Sequence, residues 1–244
     1  MALIETGFGD SEIARVTQVP RATISAWRHG RGVRYHQRLG SADPSWRPPQ
    51  LRSYSYLLGL YLGDGCITLS RRATFAKMVI TLDAAYPGIV EEGLGAAAAC
   101  FPDARPHRFA RSGGSVAALQ WNDPALPFAF PQHSRGPKHL RVICLEPWQR
   151  EITTEFPREL LRGLIHSDGC RTINRFKTQL PSGRVASYGY PRYFFSNLSD
   201  GIRRIFCEHC ELLGIRWTQS NSRNISVAHR KSVALMDEFI GPKR

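Results

Sequence analysis

"LLGLYLGDG", residues 57–65, strings four leucines, a tyrosine and three glycines together and places its only charge, Asp64, next to last. Residues 161–169, "LRGLIHSDG", repeat Leu, Gly, Leu, Asp and Gly at the same relative positions. The two aspartates, Asp64 and Asp168, lie 104 positions apart, the size of a small α+β unit. A repeat at this period predicts two copies of one supersecondary unit. Gly59 and Gly63 fall four apart, on one face of a helix, and Gly163 and Ser167 do the same. Two such helices can pack backbone to backbone, which makes Gly59, Gly63, Gly163 and Ser167 the expected helix interface. Gly65 and Gly169 suit the left-handed position that ends a helix, with each aspartate at the negative end of the helix dipole. A carboxylate costs stability there, so its repetition calls for a role other than folding. An Asp-Gly pair after a helix is also an ordinary turn; the matched pair favours a divalent cation held by Asp64 and Asp168 with the neighbouring carbonyls of Gly63 and Ser167.

The signals after each copy agree with the duplication. After Asp64 come the extended runs "CITLSRR" and "TFAKMVITL", a helical stretch from Pro87 to Cys100, and two more extended runs, "RPHRFARS" and "SVAALQW". After Asp168 come "CRTINRFKTQ", "YPRYFFSNL", a helix near Asp200 to Leu213, short runs at "RWTQS" and "NISVAHR", and a closing helix at "SVALMDEFI". Each half therefore reads α-β-β-α-β-β.

The net charge of +13 and a pI near 10.0 predict a polyanionic partner, nucleic acid by default. The cations are spread along the chain with aromatic residues between them, unlike a basic membrane-surface helix. No apolar stretch approaches the roughly 18–20 residues needed to cross a bilayer. Six cysteines without a secreted framework, and an N-terminus without the pattern of a signal peptide, point to a reduced, cytoplasmic protein.

Residues 1–32 contain "SEIARVTQVPRATISAWRHG", with Asp10 as a candidate N-cap, Ile13 and Ala14 in a first helix, a turn at Val19 and Pro20, and Ile24 and Trp27 in a second. The pattern resembles a helix-turn-helix, with Gln18 where a glycine is usual. That resemblance implies that Arg21, Thr23, Ser25 and Arg28 face a DNA groove. Residues 33–52 then read as a basic linker; from 28 to 52 six arginines stand against the single Asp43.

Over roughly residues 53–241 the chain resembles the LAGLIDADG homing endonucleases in their single-chain, two-motif form. Leu57, Gly59, Leu60, Asp64 and Gly65 match one motif, and Leu161, Gly163, Leu164, Asp168 and Gly169 the other. The resemblance implies an α+β fold of two pseudo-symmetric units with saddle-shaped antiparallel sheets, a first half at 53–130, an inter-half linker at 131–150 and a second half at 151–244. It implies a monomer that cuts double-stranded DNA by metal-dependent phosphodiester hydrolysis, leaving a staggered break, with Mg2+ as cofactor and Mn2+ able to take its place. Residues in the strands would read the duplex: Arg71, Arg72, Lys77, Arg108 and Arg111 in the first half, and Arg171, Arg175, Lys177, Gln179, Arg192 and Arg223 in the second. Each of these is equally consistent with a solvated surface charge, because the sequence does not say which strand face meets DNA.

Family members carry a further basic residue and a polar residue per half. Lys231 and Asn197 fill those roles in the second half; "LQWNDP" in the first has no lysine, leaving Lys77 or Lys138 as substitutes. This asymmetry puts equal cleavage of both strands in doubt, and two other readings stay open. One is a DNA-binding transcriptional regulator on a cleavage-deficient LAGLIDADG fold; the other is an RNA-binding maturase. Cys207 and Cys210 form a C-x-x-C that reads as helix packing rather than zinc, Cys66 and Cys170 read as equivalent small packing residues, and His166 as an interface residue. The aromatic stretch "YGYPRYFFS" reads as strand core, with stacking on bases as the alternative.

Overall fold

The computed structural model describes residues 8–17, 21–28, 43–69, 76–241 and 243. Two short helices, α1 (Asp10–Thr17) and α2 (Arg21–Arg28), pack on one another through buried Ile13 and Ile24. Arg28 Nε reaches Asp10 Oδ1 at 2.6 Å and its guanidinium also donates to the Phe8 carbonyl, so this side chain ties the helices together rather than projecting from them. Arg21 is exposed and Ser25 half-buried. Residues 18–20, where the turn was expected, and the Thr23 side chain lie outside the described residues, as do Arg71 and Arg72.

The first half runs α3 (Leu51–Asp64), β1 (Gly65–Leu69), β2 (Ala76–Asp83), α4 (Pro87–Cys100), β3 (His107–Arg111) and β4 (Val116–Asp123). A short helix, α5 (Leu126–Ala129), and an extended loop follow. Helix α6 (Pro147–Glu155) then leads into α7 (Pro157–Asp168), so the expected boundary at 150 falls inside a helix. The Glu146 and Gln149 side chains cap α6 reciprocally, which explains why it begins where it does. The second half continues with β5 (Gly169–Gln179), β6 (Val185–Ser196), α8 (Asp200–Leu212), β7 (Thr218–Gln219), β8 (Asn224–Val227) and α9 (Arg230–Phe239). The antiparallel sheets have matching strand orders, β1-β2-β4-β3 and β5-β6-β8-β7.

Alternation in β2 and β4 assigns the faces of the first sheet. Met78, Ile80, Leu119 and Trp121 point to the helices and are buried, whereas Lys77, Gln120 and Asn122 point away. In the second sheet Tyr193, Phe195, Ile225 and Val227 are the buried set. The two cores merge around α3 and α7, the motif helices.

The motif helices meet backbone to backbone. A methyl on Gly59 would lie 2.5 Å from the Leu160 carbonyl oxygen, and one on Gly163 would lie 2.2 Å from that of Tyr56. Leu160 and Tyr56 each stand eight residues before their own motif aspartate, so the contacts are reciprocal and the halves are related by a pseudo-twofold axis. A methyl on Gly63 would meet Ser167 Oγ at 2.2 Å; that hydroxyl is turned back onto its own helix, donating to the Gly163 and Leu164 carbonyls.

One expectation fails at the helix ends. Gly65 (φ −85°, ψ 146°) and Gly169 (φ −115°, ψ 169°) are extended, not left-handed. Each helix passes directly into a strand, and the backbone turns so sharply that a methyl at Gly65 would lie 2.6 Å from Tyr61 Cα and one at Gly169 2.7 Å from Ile165 Cα. Glycine is required here by crowding, not by a positive φ.

Candidate active site and nucleic-acid interface

Because α3 and α7 run side by side to the same end, Asp64 and Asp168, the last residue of each, open into one cleft of about 620 Å³. Its walls include Gly63, Lys138, Arg141, Asn197 and Arg223. Burial, and then the neighbouring Asp168, push the Asp64 carboxyl up to about 6. Burial also raises Asp168, opposed by a hydrogen bond from Asn197 Nδ2 to its Oδ2 at 2.6 Å. By register Phe195 stands where Ile80 stands in the first half, which puts the apolar, buried Leu82 in the place of Asn197. Asp64 therefore lacks the amide partner that Asp168 has.

Two lysines cap the ends of the motif helices, Lys138 within the cleft lining and Lys243 outside it. Lys138, on the loop between the halves, donates through Nζ to the carbonyls of Tyr61, Leu62 (3.0 Å) and Gly63 (3.1 Å), the last turn of α3. Its loop is held by Arg141 Nη1 donating to the Gln132 carbonyl at 2.8 Å, and Gln132 is bonded in turn to buried Gln149. Lys243 donates through Nζ to the carbonyl of His166 at 3.2 Å. His166 and Leu62 each stand two residues before their aspartate, so the two ammonium groups cap equivalent carbonyls, as the negative end of a helix favours. Lys138 follows Asp64 by 74 residues and Lys243 follows Asp168 by 75. Burial lowers both ammonium groups, Lys138 to about 8, while both aspartates act to raise them. Lys231, the sequence candidate, lies exposed in the first turn of α9 and outside the cleft lining. The near-equal offsets, 74 and 75 residues, are the signal that would have found Lys243.

The arrangement suits a hard divalent cation. Among the described residues neither aspartate has an ion-pair partner, and two half-buried carboxylates share one cleft. Asp64 and Asp168 are the ligands the geometry offers. Gly63 lines the cleft with its carbonyl already bonded to Lys138, and Ser167 lies outside the lining. Among the described residues no cluster of three or more His, Cys, Asp or Glu side chains could hold a metal.

Strand register sorts the residues expected to read DNA. On the open face of the first sheet stand Lys77, opposite Thr68 and Asn122, and the Arg111 position, opposite Val116; the Arg111 side chain lies outside the described residues. Arg108 pairs with buried Leu119 and so points to the helix side. In the second sheet Arg171 points the same way: its guanidinium makes a bidentate pair with Asp237 of α9 at 2.7 and 2.9 Å. Arg175, Lys177 and Gln179 share that strand face by alternation, whereas Arg192, opposite Thr172, is on the open face. Arg223 reaches the cleft.

The cysteines divide. Cys207 and Cys210 are buried on α8, and burial pushes the Cys207 thiol up to about 12, as expected for packing residues. Cys66 and Cys170, expected to pack, are exposed on the open faces. His166 is an interface residue: its Nδ1 lies 2.9 Å from Tyr56 Oη and its Nε2 3.3 Å from the Ile240 carbonyl oxygen.

No protein-family model and no curated protein matches the chain. Solved structures do. I-DmoI in complex with DNA and Mn is 14% identical, covers 79% of this chain and 98% of its own, and gives a TM-score of 0.52. Full-length DUF199/WhiA from Thermatoga maritima is also 14% identical, covering 86% of this chain and 61% of its own at a TM-score of 0.50. The LAGLIDADG meganuclease I-AabMI, bound to uncleaved DNA, is 12% identical over 76% of this chain and 82% of its own, with a TM-score of 0.47. Duplicated nonamers, reciprocal glycine contacts and matching sheets, together with the likeness to I-DmoI, show that the chain has the LAGLIDADG homing endonuclease fold in its single-chain, two-motif form.

Proposed function

We propose that the protein is a sequence-specific double-stranded DNA endonuclease of the LAGLIDADG homing type. The observation that carries this reading is the pairing of Asp64 and Asp168 in one basic cleft at the junction of two open sheets. The net charge of +13 supports a polyanionic substrate, and the open sheet faces supply polar side chains for the major groove. Each aspartate serves one strand, so the break is staggered.

The residues act as follows. Asp64 and Asp168 hold the divalent cation, with Asn197 orienting Asp168. Bound Mg2+, or Mn2+ in its place, supplies a polarised water and charge stabilisation for the departing oxygen. Lys138 and Lys243 hold the motif-helix ends in place and offset charge on the phosphates. Arg141 and Arg223 bind phosphate beside the cleft, and Lys77 and Arg192 contact the groove. The helix pair at 10–28 is an accessory DNA-binding module in which Arg21 faces the duplex. All six cysteines are free, which supports a reduced, cytoplasmic setting, and the internal pseudo-symmetry supports a monomer. Among the described residues no helix is long and apolar enough to cross a membrane.

The test is cleavage of a randomised duplex library with Mg2+, beside an Asp64→Asn/Asp168→Asn variant. One long site with staggered ends, lost in the variant, is the expected result. Enrichment of a site that neither protein cuts would overturn the endonuclease reading and assign the chain to DNA-binding regulation.

A further inference from the structure

The hairpin β5–β6 reaches well beyond its sheet. Its strands pair over eleven positions, from Gly169↔Phe195 to Gln179↔Val185, yet β8 supports only Tyr193 to Ser196. The outer part is thus a two-stranded arm with both faces in solvent. On its open face stand three aromatic rings: Phe176 (42% exposed), Tyr188 (38%) and Tyr190 (52%). Phe176 lies 5.6 Å from Tyr188 and 5.8 Å from Tyr190, and the two tyrosines are 6.3 Å apart with planes within 6°.

Cross-strand stacking of the rings supports the arm by about 1 kcal/mol at most, but no core lies beneath them and three large rings stay exposed to solvent. The surroundings say what covers them. From Gly169 to Ser196 the chain has five cations, Arg171, Arg175, Lys177, Arg184 and Arg192, and no acidic residue. Arg192 shares the open face with the rings, while Arg175 and Lys177 lie on the opposite face of the same arm and Arg171 is paired with Asp237; an apolar ridge on a basic arm fits a polyanion with apolar groups among its polar ones. DNA offers that combination in the major groove, where thymine C5-methyl groups project among base-edge donors and acceptors. The stretch of the first half that matches the ridge by register, residues 70–75, lies outside the described residues.

We infer that Phe176, Tyr188 and Tyr190 form a specificity ridge that selects thymine methyl groups in the half-site read by the second half. The inference rests on the DNA reading above and adds the chemistry recognised.

Two randomised duplex libraries test it, one amplified with dTTP and the other with dUTP, which pairs alike and lacks only the methyl. Binding selections use the full chain carrying Asp64→Asn and Asp168→Asn. The expected result is a site whose second half-site requires thymine, with affinity about tenfold weaker when those thymines become deoxyuridine. Adding Phe176→Ser, Tyr188→Ser and Tyr190→Ser should cause the same loss on thymine and none further on deoxyuridine. Tyr188→Phe/Tyr190→Phe should keep the thymine preference, and an unchanged Tm confirms that the serine variant folds. Equal enrichment of one site from both libraries, or a thymine preference that survives in the serine variant, overturns the ridge while leaving DNA binding intact. Concentration-dependent dimers abolished by the serines would assign the ridge to a second copy and overturn it too. Enrichment of no site from either library defeats the DNA reading itself, and the ridge with it.

Discussion

The two halves share a skeleton and differ in what they hang on it. Their motif helices touch through reciprocal glycines, their sheets have the same strand order, and a lysine caps each motif helix at an equivalent carbonyl. Around the aspartates the likeness ends. Asp168 receives an amide from Asn197, where the first half has Leu82; Lys138 bonds three carbonyls and Lys243 one. The second half carries an aromatic arm; the first sheet presents Lys77, Gln120 and Asn122. The difference teaches that duplication is strictest where backbone meets backbone and relaxes where side chains meet solvent or ligand.

The largest effects should come from the shared skeleton. Gly163→Ala and Gly59→Ala force a methyl against backbone that cannot yield, and each should destabilise by about 3 kcal/mol or more, read as a fall in Tm. Gly63→Ala, whose obstacle is the Ser167 hydroxyl, should cost about 1 kcal/mol, and Ser167→Gly should restore it. Gly95→Ala, on exposed helix with nothing within 4 Å, should instead gain up to about 1 kcal/mol. If Gly59→Ala and Gly163→Ala differed widely, the pseudo-symmetry would be geometric only.

Next come the unequal surroundings of the aspartates. Asn197→Leu gives Asp168 the apolar neighbour that Asp64 already has, and should slow cutting of one strand by about 10–100-fold. Supercoiled plasmid should then accumulate as nicked circles; equal slowing of both strands would show that the halves do not act separately. Lys138→Met should weaken cleavage more than Lys243→Met, in line with three carbonyls against one.

A smaller, purely structural comparison uses the cysteines. Cys66 and Cys170 should react with a maleimide in the native protein, while Cys100, Cys207 and Cys210 should not. Bound DNA should protect Cys66 and Cys170 together; protection of one alone would mean that a single sheet engages the duplex.

The smallest effect lies in the clasp of Arg171 on Asp237, found in the second half. The Arg171 hydrogen bonds hold the Asp237 carboxyl below the usual carboxylate range. Because the folded value is the lower one, its stabilisation is present above about pH 3.9, the unfolded value, and is lost as pH falls through the folded one. The pair is partly exposed, so Asp237→Asn should remove less than about 1 kcal/mol, seen as a shallower loss of Tm between pH 5 and 3.

Much of this was legible in the sequence, because it rests on local or periodic signals. The repeated nonamer dictated two units, the four-residue spacing of Gly59 and Gly63 dictated close helices, and the element order dictated two matching sheets. Asn197 and the two aspartates were legible for the same reason, since each sits at the end of a recognisable element. What the tertiary structure decided has no local signature. Gly65 and Gly169 read alike as left-handed caps or as crowded helix-to-strand turns until the strand direction is known. Lys138 was legible only as one of two substitutes and Lys243 not at all, because each reaches the end of its motif helix across more than seventy residues, which no window of sequence spans. The sides of β5 could not be read because both faces of a two-stranded arm are wet and its pattern does not alternate. Pairing with β6 then turned Arg171 inward to Asp237 and left Phe176, Tyr188 and Tyr190 on the open face, since side-chain direction along a strand follows register and not composition.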